Sequence, residues 1–296
     1  MKRTPGSIGA TLMILVALTG CSATPEPAPE EPSASAPSLA QEDTGALSQG
    51  SLGEGIVPGG VVSDEHGDYR RLTIDLEHPF LVLDPDRIDP NTSELGLSDE
   101  HLLAAYRSAA GFVVEMTLDS DAFDTGVPTD AAWMIRNEHR FGANIMGTVR
   151  NPETPKDQVY AGVVLSDALG VPLPRTGEPR LSAVTVSLKA LDAYPDPVLG
   201  ALNARSTFDV QATTAELPDA FLRTVALARG SFAGEQELVA EHPWLGDDRD
   251  GGTIRISGQA PITVDPLGRV SGMGAEFELT LLGNAGEELP LSSPGR

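Results

Sequence analysis

Five histidines, three groups of aspartates, a serine among glycines and one cysteine are the side chains of this 296-residue chain with the most chemistry in them. The histidines are His66, His78, His101, His139 and His242, and no two of them stand four apart, the spacing that sets a pair of imidazoles on one helix face around zinc. Asp84, Asp86 and Asp89 lie in a Pro-rich stretch, Asp119, Asp121 and Asp124 follow a helical pattern, and Asp247, Asp248 and Asp250 precede Gly251. Calcium prefers such oxygens. Set on a helix–loop–helix calcium loop, Asp248, Asp250 and Gly251 take the third, fifth and sixth positions. The first is then Gly246, and the last, where a bidentate Glu is needed, is Ser257. In so acidic a chain these carboxylates are expected to be solvated loop residues, and no metal ligand is assigned. Ser271 lies between Gly268 and Gly272, with Gly274 beyond, where glycines mark a bulge or bend. No G-x-S-x-G elbow, S-x-x-K, phosphate-cradling G-x-x-x-x-G-K or helix-opening G-x-G-x-x-G occurs, so no catalytic residue and no cofactor is assigned.

Cys21 is different, because its context is specific. Lys2 and Arg3 precede an apolar run from Ile8 to Leu18, and Thr19 and Gly20 lead into the cysteine. A cationic start, a short apolar core and small residues at the cut describe a secretory signal peptide. The run is too short to span a bilayer, which takes about 20 apolar residues. Leu18-Thr19-Gly20-Cys21 resembles the lipobox of bacterial lipoproteins. The resemblance implies a diacylglyceryl group on the Cys21 sulfur, cleavage just before Cys21, and acylation of the new amine as well. It also implies residence at the outer face of the cytoplasmic membrane.

Charge and cysteine content agree with that address. The chain has 43 acidic and 20 basic residues. With Lys2 and Arg3 removed, 18 basic residues remain and the mature net charge is about −25. Such a surface is repelled by anionic lipid and by nucleic acid phosphate, so nucleic acid is excluded as a partner and membrane contact is expected through the anchor on Cys21 alone. Two acyl chains suffice for stable anchoring where one does not. Lipidation uses the only cysteine, so no disulfide can form within the chain and the body must stand on its core. Arg outnumbers Lys 17 to 3, a bias similar to high-GC, actinobacterial-type composition.

The chain divides into a signal peptide (1–20), a lipidated linker (21–55), a single domain (56–285) and a tail (286–296). The linker alternates Pro with Ala, Ser and Glu and then turns Gly- and Ser-rich, a composition too poor in apolar side chains to order itself. At ~3.1 Å per residue, about fifteen Pro-rich positions would hold the body some 45 Å from the bilayer. In the body, alternation predicts strands over Tyr69–Leu83, Val159–Leu165, Leu181–Leu191 (with a slip of phase that marks a bulge), Ser206–Ala212, Thr253–Val264 and Val270–Leu282. Pro79 demotes the end of the first, and Pro266–Gly268 turns the last two into an antiparallel hairpin. Ser98 caps a helix in which Leu102, Leu103, Tyr106, Ala109, Ala110, Val113 and Met116 recur at helical spacing. A second helix runs from Thr129 as cap to His139, with Gly142 as its C-terminal cap. Helical spacing returns over 219–242, and the chain from Gly283 reads as a frayed polar tail. Trp133, Trp244, Tyr106 and Tyr160 are expected in or against the core.

These elements predict an α+β fold with N-terminal helices packed on a curved, mostly antiparallel sheet. The order of elements over 98–282 weakly resembles the cone-shaped nuclear-transport-factor-like domains, with 219–242 as a departure; no motif carries functional residues across. The expected function is a membrane-anchored extracytoplasmic lipoprotein with a non-enzymatic binding or envelope-associated body, its protein or small-molecule partner unassigned. Two alternatives are a solute-binding receptor of an importer, which needs two alternating α/β lobes, and a small-pocket hydrolase or isomerase, which needs a desolvated carboxylate in a deep apolar cavity.

Overall fold

The computed structural model describes residues 55–64, 67–78, 81–121, 130–154, 179–196, 200–214, 239–245 and 252–291. All lie in one compact unit, Ala46–Arg296. Cys21 with the whole stretch 1–54, the strand expected over Val159–Leu165 and most of the helical pattern at 219–242 fall outside the described residues.

The described chain opens with a hairpin of β1 (Ile56–Asp64) and β2 (Gly67–Ile74). Leu72 and Ile74 bury one face of β2, and Tyr69 is buried nearer its start. Between Pro58 and Val61 the register slips, so a bulge takes up Gly59 and Gly60 next to a residue with no N–H to give. The strand expected to reach Leu83 ends at Ile74. Asp75 Oδ1 accepts from Glu77 N at 3.1 Å and His78 N donates to Asp75 O at 3.0 Å, an aspartate-led turn that overrides the alternation and leaves Leu76 47% exposed.

Ser98 caps α1 (Asp99–Phe112) as its position predicts, its Oγ accepting from His101 N at 3.2 Å. Leu102, Ala105, Tyr106, Ala109, Ala110 and Phe112 face the core. The helix then widens into a π-helical turn, Val113–Leu118. α2 (Asp130–Arg136) carries Trp133 into the core, and a 3₁₀ turn, Glu138–Arg140, follows it. Gly142 does not close this helix; it sits at the N-cap of α3 (Ala143–Arg150), which is not among the predicted elements. Met146 and Val149, three apart, bury one side of α3, and packing outweighs the β-leaning local composition. Phe141 bridges the two parts of this helical layer, edge-on to Phe112 (centroids 5.8 Å) and to Trp133 (5.9 Å).

A six-stranded antiparallel sheet makes up the rest: β3 (Leu181–Pro195), β4 (Leu202–Thr214), β5 (Gly252–Val264), β6 (Val270–Met273), β7 (Glu276–Gly283) and β8 (Glu288–Pro290). Its order is β3-β4-β5-β7-β8, with β6 on the far end of β5, so the sheet is open. Helices with a mostly antiparallel sheet are therefore present, as expected. The slip of phase in β3 is real and occurs twice, at Ser182/Thr185 and Leu188/Ala190. Gly274 and Ala275 split the long return strand, letting β6 pair with the end of β5 and β7 with its beginning. The tail expected to fray from Gly283 instead returns as β8, because Gly286 (φ +90°) turns the chain back and Leu291 is buried. The other edge, β3, is covered by 3₁₀ turns: Asp89 N donates to Leu191 O at 2.8 Å, and Ala193 N to Thr92 Oγ1 at 3.2 Å. Tyr106 of α1 stacks on Phe208 of β4 at 5.8 Å, joining helix to sheet. Among the described residues no helix is long and apolar enough to cross a membrane.

Candidate functional site

The polar side of α1 carries Ala104, Arg107, Ser108 and Gly111, which at helical spacing form one stripe, and Glu115 of the π-helical turn continues it. Three small residues in that stripe leave a groove of about 490 Å³. One wall is the end of β2 with Thr73, Ile74 and Leu76; the other is the β5–β6 turn with Leu267, Gly268 and Arg269; His139 and Arg140 close one end. Glu115 is brought here by the wide π turn, a geometry that recurs at functional sites.

Each wall is fixed by the chain's own polar groups. Glu115 accepts from Thr73 Oγ1 at 2.8 Å and from Arg140 Nη1 at 3.2 Å, tying β2 to the 3₁₀ turn. Asp265 organises the opposite turn. Its Oδ1 accepts from Leu267 N and Arg269 N, both at 2.9 Å, and its Oδ2 takes the Arg269 guanidinium at 3.0 and 2.8 Å. Gly268 has φ +74°, which a side chain would strain, and its carbonyl accepts from Ser108 Oγ. A smaller groove of about 300 Å³ adjoins at Ala104 and Gly268, with Glu100, His101 and Asp265 in its lining.

Electrostatics single out Arg107. Three guanidiniums converge here in a chain with 43 acidic and 20 basic residues. Arg140 is paired with Glu115 and Arg269 with Asp265. Arg107 is paired with no described residue, and its Nε is buried without an acceptor. Behind the groove, burial pushes the phenol of Tyr106 up to about 12 from its ordinary 10.0.

A serine, a histidine and a glutamate share this groove, but they form no nucleophile–base relay. Ser108 Oγ donates to a carbonyl and Glu115 is held by Thr73 and Arg140. Among the described residues no hydrogen bond joins His139 to either. Glu115 is also 31% exposed and ion-paired, unlike an isolated carboxylate in a deep apolar cavity.

Among the described residues, Asp84, Asp89, Asp119 and Asp121 have structural tasks. Asp84 Oδ1 accepts from Asp86 N at 3.0 Å and Asp89 Oδ1 from Asn91 N at 2.8 Å, each capping a 3₁₀ turn that begins with proline. Asp119, fully buried, accepts from Leu72 N at 2.6 Å; beside it Arg180 Nη1 donates to Ser120 O at 2.8 Å. The guanidiniums of Arg71 and Arg180 lie 5.3 and 5.1 Å from the Tyr69 ring centroid. Asp124, Asp247, Asp248, Asp250, His66 and Tyr160 lie outside the described residues. Among the described residues no group of three or more His, Cys, Asp or Glu is placed to hold a metal ion. His101 and His139 line different grooves, His242 meets Trp244 edge-on at 6.3 Å, and Ser271 Oγ points to Thr263 O at 3.5 Å.

Arg107, Arg140 and Arg269 are absent from the residues the sequence singles out. For Arg107 a signal exists, namely a cation among small residues on the polar side of α1. Arg140 and Arg269 come from distant segments, and nothing local marks them. Comparison with family models, with curated proteins and with solved structures finds no match to this chain.

Proposed function

We propose that this chain is an exported lipoprotein, held at the outer face of the cytoplasmic membrane by acyl chains on Cys21, whose body is a non-enzymatic binding module. One observation carries the reading: the only thiol stands at the end of Leu18-Thr19-Gly20-Cys21, directly after an apolar run with a cationic start. Residues 1–20 are then the signal peptide, 21–55 the tether, and the body runs from 56 through β8 to Leu291. The mature net charge of about −25 leaves acyl chains as the means of holding the membrane. In this proposal the helices cover the inner face of a curved sheet, as in the cone-shaped nuclear-transport-factor-like domains, and the groove beside Arg107 is the working surface.

Binding rather than catalysis is supported by the commitments of Ser108 and Glu115 to partners within the fold. The antiparallel sheet speaks against an importer receptor built from two alternating α/β lobes. The test is metabolic labelling with palmitate in a bacterial host. The chain is expected to take up label and fractionate with membranes, and Cys21→Ala to lose both. Label persisting in Cys21→Ala would refute the anchoring.

A further inference from the structure

We propose that the groove beside α1 binds a small solute through its carboxylate or phosphate group, with Arg107 as the anchoring cation; this rests on reading the body as a binding module. A guanidinium is charged at every accessible pH and offers a planar fork of donors that matches an oxyanion. Buried donors are nearly always satisfied, and the Nε of Arg107 is buried with no acceptor among the described residues. The other two guanidiniums of the groove are neutralised, by Glu115 and by Asp265, so among the described residues the uncompensated positive charge is that of Arg107. Acidic side chains dominate this chain, yet among the described residues none is paired with Arg107.

The groove also limits the rest of the ligand. At about 490 Å³ it falls within the roughly 300–1,000 Å³ of small-molecule sites and is too large for a bare inorganic anion. Leu76 and Leu267, 47% and 74% exposed, stand on its two walls and offer an apolar ledge. Leu267 is held out by the Asp265-organised turn, so its exposure is built into the fold. A short apolar chain ending in an oxyanion satisfies both features.

The test uses the full chain carrying Cys21→Ser and three probes of equal length, hexanoate, hexyl phosphate and hexanamide, titrated by calorimetry. At least one anionic probe is expected to bind and neutral hexanamide to bind about tenfold more weakly or not at all, the loss of one charge-assisted hydrogen bond. Which of the two anions binds more tightly separates a carboxylate from a phosphate ligand. Arg107→Gln is expected to weaken the anionic probe about tenfold or more while leaving the melting temperature of the free protein equal or higher, because it removes an uncompensated charge. Ala104→Trp, at an exposed position between the two grooves, is expected to block binding without disturbing the core. Hexanamide binding as tightly as the anions, and blocked by Ala104→Trp, would overturn the oxyanion assignment and leave the binding module standing. An anionic probe undiminished by Arg107→Gln would overturn the role of Arg107. No binding of any probe would overturn both the assignment and the groove as the working surface.

Discussion

The indole Nε1 of Trp133 donates to Asp121 Oδ1 at 2.5 Å, so a fully buried ring from α2 is satisfied by a carboxylate beyond the π-helical turn. Asp121 Oδ2 faces Arg136 at 3.6 Å and Arg71 at 3.9 Å, which makes this residue a link between α2, β2 and the end of the π turn. Asp121→Ala strands a buried N–H and is expected to cost about 2–3 kcal/mol. Asp121→Asn keeps an oxygen for Nε1 and loses only half-exposed ion pairs, so about 1 kcal/mol is expected. Urea midpoints compare the two; equal losses would show that the indole bond contributes nothing of its own.

Gly258 lies in β5 where β7 crosses it. A Cβ there would stand 1.9 Å from Glu276 O and 2.8 Å from Phe277 Cα, backbone that moves only if the pairing breaks. Gly258→Ala is expected to destabilise by about 3 kcal/mol or more, read from chemical unfolding. The neighbouring Gly274→Ala, whose Cβ would meet Pro261 Cγ at 3.4 Å, is the milder control.

Ala183 holds φ +49° within the first bulge of β3, with its side chain exposed. The left-handed conformation costs an alanine roughly 1–2 kcal/mol, and glycine escapes it at a smaller loss of chain entropy. Ala183→Gly is expected to raise stability by about 0.5–1 kcal/mol, visible as a higher melting temperature. A drop would mean that the bulge does not require this conformation.

Tyr106 supplies an alkaline limit. Its phenol is pushed up to about 12 by burial against an ordinary value of 10.0, so the folded state keeps a proton that the unfolded chain releases earlier. This contribution is complete below pH ~10 and is lost as pH rises towards ~12, roughly 2 kcal/mol in all. Tyr106→Phe keeps the ring stacked on Phe208 and is expected to flatten the fall in stability over that window. Parallel curves for the two proteins would remove the linkage.

Most of the sheet could be read from alternation, since β3, β4, β5 and the split β6–β7 strand each bury one face. The cap at Ser98 and the turn before Gly268 were legible because local chemistry decides them. α3 was not, because Ile145, Thr148 and Val149 lean towards strand, Gly147 disfavours a helix, and only the burial of Met146 and Val149 makes them helical. β8 hid in a polar stretch, since an edge strand of three residues needs one buried side chain, Leu291, rather than a pattern. The groove was hidden for a different reason. Arg107, Arg140 and Arg269 meet only when α1, a 3₁₀ turn and a β-turn are folded together.

Intact mass spectrometry of the protein extracted from bacterial membranes tests the proposed anchoring most directly. The expected product begins at Cys21 and exceeds the mass of the unmodified chain by a diacylglyceryl group, with or without an amide-linked acyl chain. A product that retains residues 1–20 with a free Cys21 thiol, or that begins elsewhere without lipid, would contradict it.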